Sequence, residues 1–209
     1  MSECQTYHQT YQAVLLAAGV GKRFDASGQR HKLLQTLAGA GAPQTVLAAS
    51  LTQVCGAISE VLVVLADGPH LAELQAQCAA FPVRTVINPA AASGMASSIV
   101  CAIQHSADAA GWLIAPADMP FISSAIWRQQ CQHLAVGHSL AQAQYRGQRG
   151  HPVAFAACFR DDLLQLGRDP AQADQGAKTI LAQHPCHLWD TDEPGILVDV
   201  DTPADLLAW

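Results

Sequence analysis

A chain of 209 residues, half of them apolar and only 13% charged, can bury one substantial core, which excludes a fibrous or disordered protein. Its net charge of −6 and the lack of any long Lys/Arg block argue against a nonspecific nucleic-acid binder, although cations gather locally at 22–32 and 146–149. The expectation is a single domain over 1–209, with 1–11 as a ragged, flexible terminus.

No basic start leads into an apolar core, and no apolar run reaches the roughly 18–20 residues of a membrane span, so neither a signal peptide nor a membrane partner is expected. Cys4, Cys55, Cys78, Cys101, Cys131, Cys158 and Cys186 stand singly. Their odd count without CxxC spacing reads as reduced, structural thiols of a cytoplasmic protein. Low charge also leaves surface for an oligomeric interface.

In chain order, the first regular element is the apolar run 13–16, predicted as a central parallel strand. It feeds the small-residue turn AAGVGKR, which holds Gly19 and Gly21 and is followed by Lys22, Arg23 and Lys32. Glycines let backbone amides approach a polyanion closely, and the cations offset phosphate charge. Taken alone, such a turn is equally a steric device, and it fits neither the GxxxxGK of a P-loop nor the GxGxxG of a dinucleotide site. Residues 33–43 read as an extended connection. Pro43 then opens a helix predicted over 43–54, where Val46, Leu47, Leu51 and Val54 share a face.

Buried strands are predicted at 60–65 and 83–87, separated by a helix at 70–79. The following segment, NPAAASGMASS, has two readings. It is a turn before a helix at 96–105, or a site where Ser93, Gly94, Ser97 and Ser98 offer small groups and free helix-terminal amides to phosphate or ribose oxygens. The run 112–117 is the strongest central-strand candidate and ends at Asp118-Met119-Pro120. An acid there sits where open parallel sheets place their ligands, or it caps the helix that holds Ile122, Ile126 and Trp127.

Alternation over 140–145 predicts a strand, 153–155 another, and 161–166 and 174–181 short helices. Arg146, Arg149 and His151 either line a substrate side or serve as exposed and turn residues. A last strand is predicted over 196–200, closed by Asp201, with Thr202, Pro203 and Asp205 opening a helix. In an extended strand, Asp199 and Asp201 project to one side. The nine histidines are dispersed, His184 and His187 making a local pair, and the spacing gives no zinc-type cluster, GxSxG elbow or HExxH motif. Repeated β–helix–β units predict a three-layer α/β fold with a mostly parallel central sheet.

The ordered set LLAAGVGKRF, HKLL, NPAAASGMASSI, WLIAPADMP, GQRGHPVAF and VDVDTPADL runs through nearly the whole of 13–207. It resembles the nucleotidyltransferases of molybdenum-cofactor maturation, and within them the cytidylyltransferase branch. That resemblance implies a Rossmann-like nucleotidyltransferase fold. The implied reaction transfers CMP from CTP to the terminal phosphate of Mo-molybdopterin and releases pyrophosphate. Leu16, Ala17, Ala18, Gly19, Gly21 and Arg23 would form the nucleotide loop, Lys32 would neutralise phosphates, and Asn88, Ser93 and Gly94 would lie beside the nucleotide and its ribose. Asp118 of the DMP motif, also on the nucleotide, and Asp201 of the DxDTP motif would bind Mg2+, with Mn2+ as the alternative. Together with Arg23 and Lys32 they would make up the catalytic set. Gly150, His151 and Pro152 would face the pterin, and a molybdenum hydroxylase or its maturation factor is the implied protein partner.

Guanylyl-transferring relatives commonly carry LAGG at the loop, whereas this chain has Leu16-Ala17-Ala18-Gly19, which favours CTP over GTP. The remaining readings are guanylyl transfer, cytidylyl or uridylyl transfer to a sugar or polyol phosphate, and a non-catalytic molybdenum-cofactor binding protein. The stretch from Arg23 to Lys32 is longer than in many relatives. It either folds over substrate or is a surface insertion, with Lys22, Arg30 and His31 as helpers to Lys32.

Overall fold

The computed structural model describes residues 10–19, 21, 23–38, 43–168 and 175–207. Seven strands form one sheet: β1 (Tyr11–Ala17), β2 (Val61–Ala66), β3 (Arg84–Asn88), β4 (Gly111–Pro116), β5 (Leu140–Tyr145), β6 (Gln148–Ala156) and β7 (His187–Asp190), in the spatial order β3-β2-β1-β4-β6-β5-β7. β1 to β4 are mutually parallel, β6 enters antiparallel between β4 and β5, and β7 runs parallel to β5. The sheet is therefore mostly parallel, as the β–helix–β pattern requires.

Its central strands are apolar on both faces because both faces are covered. Ala13, Leu15, Val61, Val63 and Leu65 point into one core, under α1 (Val46–Cys55), α2 (Leu71–Cys78) and α4 (Ser124–Ala135). Val14, Leu62, Val64, Trp112 and Ile114 point into the other, under α3 (Met95–Gln104), α5 (Arg160–Gln165) and α6 (Lys178–Gln183). This is the expected three-layer arrangement.

Local chemistry shifts several boundaries. The first helix starts at Val46, not Pro43, because Thr45 accepts a hydrogen bond from the Ala48 amide and so caps it. β6 begins at Gln148, well before 153; polar Gln148, Arg149 and His151 at the rim hide its first half from a hydrophobicity pattern. β1 takes in Tyr11, which pairs with Gly111, while residues 1–9 lie outside the described residues. The helix expected at 174–181 is Lys178–Gln183, and Asp174 lies outside the described residues.

The strand expected over 196–200 does not form. Pro194–Leu197 is a 3-10 turn, and Ile196 and Val200 are fully buried without any strand partner for the segment. Burial produced the apolar pattern there, not pairing. The strand that completes the sheet is β7, a short edge strand of sequence HLWD with no clear alternation. The last described element is a 3-10 turn, Pro203–Leu207, whose Asp205 carboxylate accepts from the amides of Asp201 and Thr202. Among the described residues, no helix is long and apolar enough to cross a membrane.

Gln130 ties the antiparallel side of the sheet together. It is fully buried in α4; its Nε2 donates to the carbonyls of Ala141 (2.8 Å) and Pro152 (2.7 Å), and its Oε1 accepts from the Trp189 indole. One side chain thus joins α4 to β5, β6 and β7. Replacing it with Leu leaves an indole N–H and two carbonyls unpaired at about 1–3 kcal/mol for each group. We expect Gln130→Leu to lose about 3 kcal/mol or more, lowering Tm in calorimetry by about 6–12 °C. A Tm within about 2 °C of wild type would remove this network from the forces holding β7.

Candidate active site

After β1 the backbone crosses the carboxyl end of the sheet. Gly21 adopts φ +61, where a side chain is strained, and its carbonyl accepts from the amides of Phe24 (2.9 Å) and Asp25 (3.1 Å). Phe24 then plunges into the core. The long segment that follows is bonded to itself. Asp25 accepts from the Ser27 amide and hydroxyl and from the Arg30 amide, Arg30 lies over the Phe24 ring, and the His70 ring contacts the Gly28 carbonyl. Residues 25–30 are therefore a folded surface turn, and they deliver Lys32 to the sheet's carboxyl end.

There Lys32 Nζ donates to Asp118 Oδ2 and to Asp201 Oδ1 (3.0 Å), while Arg23 pairs with the other oxygen of Asp201. The Lys32 side chain is 11% exposed and that of Arg23 is 80% exposed, so one cation is fixed and the other projects into solvent. Asp118 follows β4, whose neighbour Ala117 donates its amide to the Leu16 carbonyl and accepts from the Ser50 hydroxyl of α1. Asp201 is brought in by a different route: the Val200 amide donates to the Asp118 carbonyl (2.8 Å), which pins the irregular 198–201 segment across the end of β4.

The electrostatics follow from this crowding. Burial works against the Lys32 ammonium, but the carboxylates of Asp118 and Asp201 outweigh it and hold its pKa above the ordinary lysine value. Burial, then the charges of Asp201 and Asp118, raises the Asp199 carboxyl above its ordinary range. Oδ1 of Asp118 is buried and has no hydrogen-bond partner. An unpartnered carboxylate oxygen beside two further acids fits a hard divalent cation, which takes oxygen ligands.

These groups edge a cleft of about 590 Å³. Leu16, Ala17, Ala18, Gly19, Gly21, Arg23, Lys32, Gly94, Asp118 and Asp201 all line it, so most of the residues singled out from the sequence converge. Gly94 has φ +103, a conformation suited to glycine, at the start of α3. Asn88 and Ser93 do not line it. Asn88 is buried and spends its side chain internally, donating to Ser97 and Ser98 and accepting from the Ala90 amide, so it braces the turn. Ser98, one of the small groups expected at the start of this helix, does line the cleft, and the walls not expected from the sequence include Ala91, Ala92, Met95 and Asp199. Asp199 carried a signal, since its alternation with Asp201 in DVD pointed both acids one way.

A second cleft of about 660 Å³ adjoins the first and shares Leu16, Met95, Pro116 and Asp199 with it. His151, Gly150, Arg149, Gln142 and Lys178 lie on its walls, whereas Pro152 does not. Gly150 is also a packing requirement, because a Cβ there would fall 2.5 Å from the Ile196 carbonyl oxygen. Arg146 instead belongs to the turn between β5 and β6, with φ 49 and its guanidinium over the Tyr145 ring. Lys22 lies outside the described residues, and His31 packs edge-on against His70. His184 packs on Phe159 and His187 on His138, so that local pair is not brought together, whereas His133, His138 and His187 are.

Residues 13–188 match the family model described as MobA-like NTP transferase domain. No curated protein matches the sequence at a significant level. Among solved structures, a nucleotidyl transferase from Methanothermobacter superposes with a TM-score of 0.75 at 24% identity, covering 94% of each chain. Rv0371c from Mycobacterium tuberculosis, in a complex with manganese, superposes with a TM-score of 0.71 at 23% identity over 96% of this chain and 99% of that one. Molybdopterin-guanine dinucleotide biosynthesis protein A from Archaeoglobus fulgidus does so with a TM-score of 0.66 at 16% identity, over 93% and 94%.

Burial lowers the His151 pKa, against smaller opposing effects from a bond to the Ile114 backbone and from Asp118. In the unfolded chain this imidazole titrates near about 6.5, so on acidification the unfolded state takes up the proton first. Its contribution to stability is thus full above about pH 6.5 and is lost as the pH falls toward the lowered folded value. We expect the urea midpoint of His151→Gln to fall less steeply than that of wild type between about pH 7.5 and 5. Parallel curves would show that His151 titrates alike in both states.

Proposed function

This chain belongs to the MobA-like NTP transferase family, and we propose that it transfers CMP from CTP to the terminal phosphate of Mo-molybdopterin, releasing pyrophosphate. The observation that carries the reading is the meeting of Lys32, Asp118 and Asp201 on the rim of a cleft floored by the glycine loop. The base assignment rests on Leu16-Ala17-Ala18-Gly19, where guanylyl-transferring relatives commonly have LAGG.

In this reaction an oxygen of the acceptor phosphate attacks the α-phosphorus in line, and the bond to the bridging oxygen of the β-phosphate breaks. The nucleophile is already anionic, so no strong base is needed, and positioning with charge neutralisation is what remains for the protein to supply. Loop amides at Ala18, Gly19 and Gly21 receive phosphate oxygens, and Arg23 and Lys32 bind the β- and γ-phosphates. Asp118 and Asp201, with Asp199 beside them, hold a divalent cation, Mg2+ or Mn2+, which when bound neutralises phosphate charge. The adjoining cleft takes the acceptor; Arg149 and Lys178 supply its positive charge and His151 a neutral imidazole.

Pyrophosphate release from purified protein with Mg2+ and Mo-molybdopterin, measured with each of CTP, GTP, ATP and UTP, should be fastest with CTP. Turnover with a sugar or polyol phosphate and none with Mo-molybdopterin would overturn the acceptor. Asp118→Asn should lower kcat by about 10²–10³ with the circular dichroism spectrum unchanged. A folded variant with near-wild-type turnover would remove Asp118 from the catalytic set.

A further inference from the structure

Three imidazoles that are far apart in sequence meet at the end of the sheet opposite the cleft. His133 sits in the last turn of α4, His138 in the turn leading to β5, and His187 opens β7. The register places them: Leu140 pairs with Phe155 and Gly111 pairs with Ala156, so β5 starts where β4 starts, and His187 lies beside Ala141. Asp118 follows the other end of β4.

One ring nitrogen from each of the three lies within 4.8 Å of the others. The His138 and His187 rings stack with centroids 3.7 Å apart, and the His133 ring lies 4.7 Å from that of His187. Among the described residues, no carboxylate forms an ion pair with any of them. Nε2 of His133 is buried and unpartnered, a desolvated nitrogen with nothing in the protein to bond. Three adjacent imidazoles without a counter-charge repel one another when protonated, but as neutral ligands they suit one borderline cation.

We propose that His133, His138 and His187 form a second metal site, separate from the acidic cleft, that takes a borderline divalent cation of the Zn2+ class. The scaffold is already rigid. One helical turn before His133, Gln130 is bonded to Ala141, Pro152 and Trp189, and the His138 amide donates to the His133 carbonyl (3.0 Å). Ligand nitrogens around tetrahedral zinc lie about 3.3 Å apart, given Zn–N bonds of about 2.0–2.1 Å. Closing from within 4.8 Å asks for the rings to rotate, with the stacked pair fanning apart. The bound cation ties the end of α4 to edge strand β7.

The test uses tag-free full-length protein, stripped with chelator and kept in excess Mg2+ so that the acidic cleft is occupied by a hard cation. Titration with Co2+ and then Zn2+ should show one equivalent bound, with visible Co2+ bands of tetrahedral type, no near-ultraviolet thiolate bands, and a Tm raised by Zn2+. His138→Gln and His187→Gln should each weaken the apparent Kd by about 100-fold or more, since even outer-shell changes cost about 10–100-fold. Both should keep wild-type pyrophosphate release. No Co2+ or Zn2+ bound by wild type, equal affinity in the variants, or thiolate bands would each overturn the site.

Discussion

Lys32 stands between Asp118 and Asp201, and the carboxyl end of the sheet is assembled around that contact. Two half-buried acids, Asp118 and Asp201, gather on one rim with the exposed Asp199 beside them, and the cation between the two offsets their mutual repulsion. A lysine buried this deeply would ordinarily lose its proton more easily; here the two carboxylates hold the charge on it. Removing one partner of such a cluster typically costs about 3–5 kcal/mol, because the remaining charge is left without compensation. The exposed Arg23 pair on Asp201 belongs to another class, worth at most about 1 kcal/mol.

The topology explains why this rim is two-sided. Parallel β1 and β4 deliver the glycine loop and Asp118 at their carboxyl ends, as open α/β sheets do. Antiparallel β6 then brings its amino end, with Arg149, Gly150 and His151, to the same edge. A parallel sixth strand would have carried those residues to the far side. Reversing one strand therefore sets a second cleft beside the first, and Leu16, Met95, Pro116 and Asp199 form their shared wall.

Most of the fold was legible because the apolar runs of β1, β2 and β4 are buried on both faces, and composition reports burial directly. The same logic misled at 196–200, where Ile196 and Val200 are buried under a 3-10 turn and not in a strand. β7 escaped because an edge strand needs only one partner and can carry His187 and Asp190 on four residues. At the site, glycines and charges that gather at strand ends could be read. Asn88 could not, since nothing in a sequence tells an amide that braces its own turn from one that meets a ligand. The three-histidine cluster was invisible for a different reason: it depends on β5 lying next to β7, and strand order is not written in local spacing.

The two cations differ in what they can do next. Arg23 is held at one end only and 80% of its side chain is in solvent, so it can leave Asp201 for an incoming phosphate at little cost. Lys32 cannot at little cost leave two half-buried acids uncompensated. It can turn toward a phosphate only as another positive charge takes its place on Asp118 and Asp201, and the oxygen of Asp118 that has no partner is open to receive one. In the proposed reaction, entry of a divalent cation and reorientation of Lys32 would thereby be coupled by charge balance. Without a cation the lysine offsets the charge of the two acids, and with one bound there the same ammonium would be free for the triphosphate of the proposed reaction.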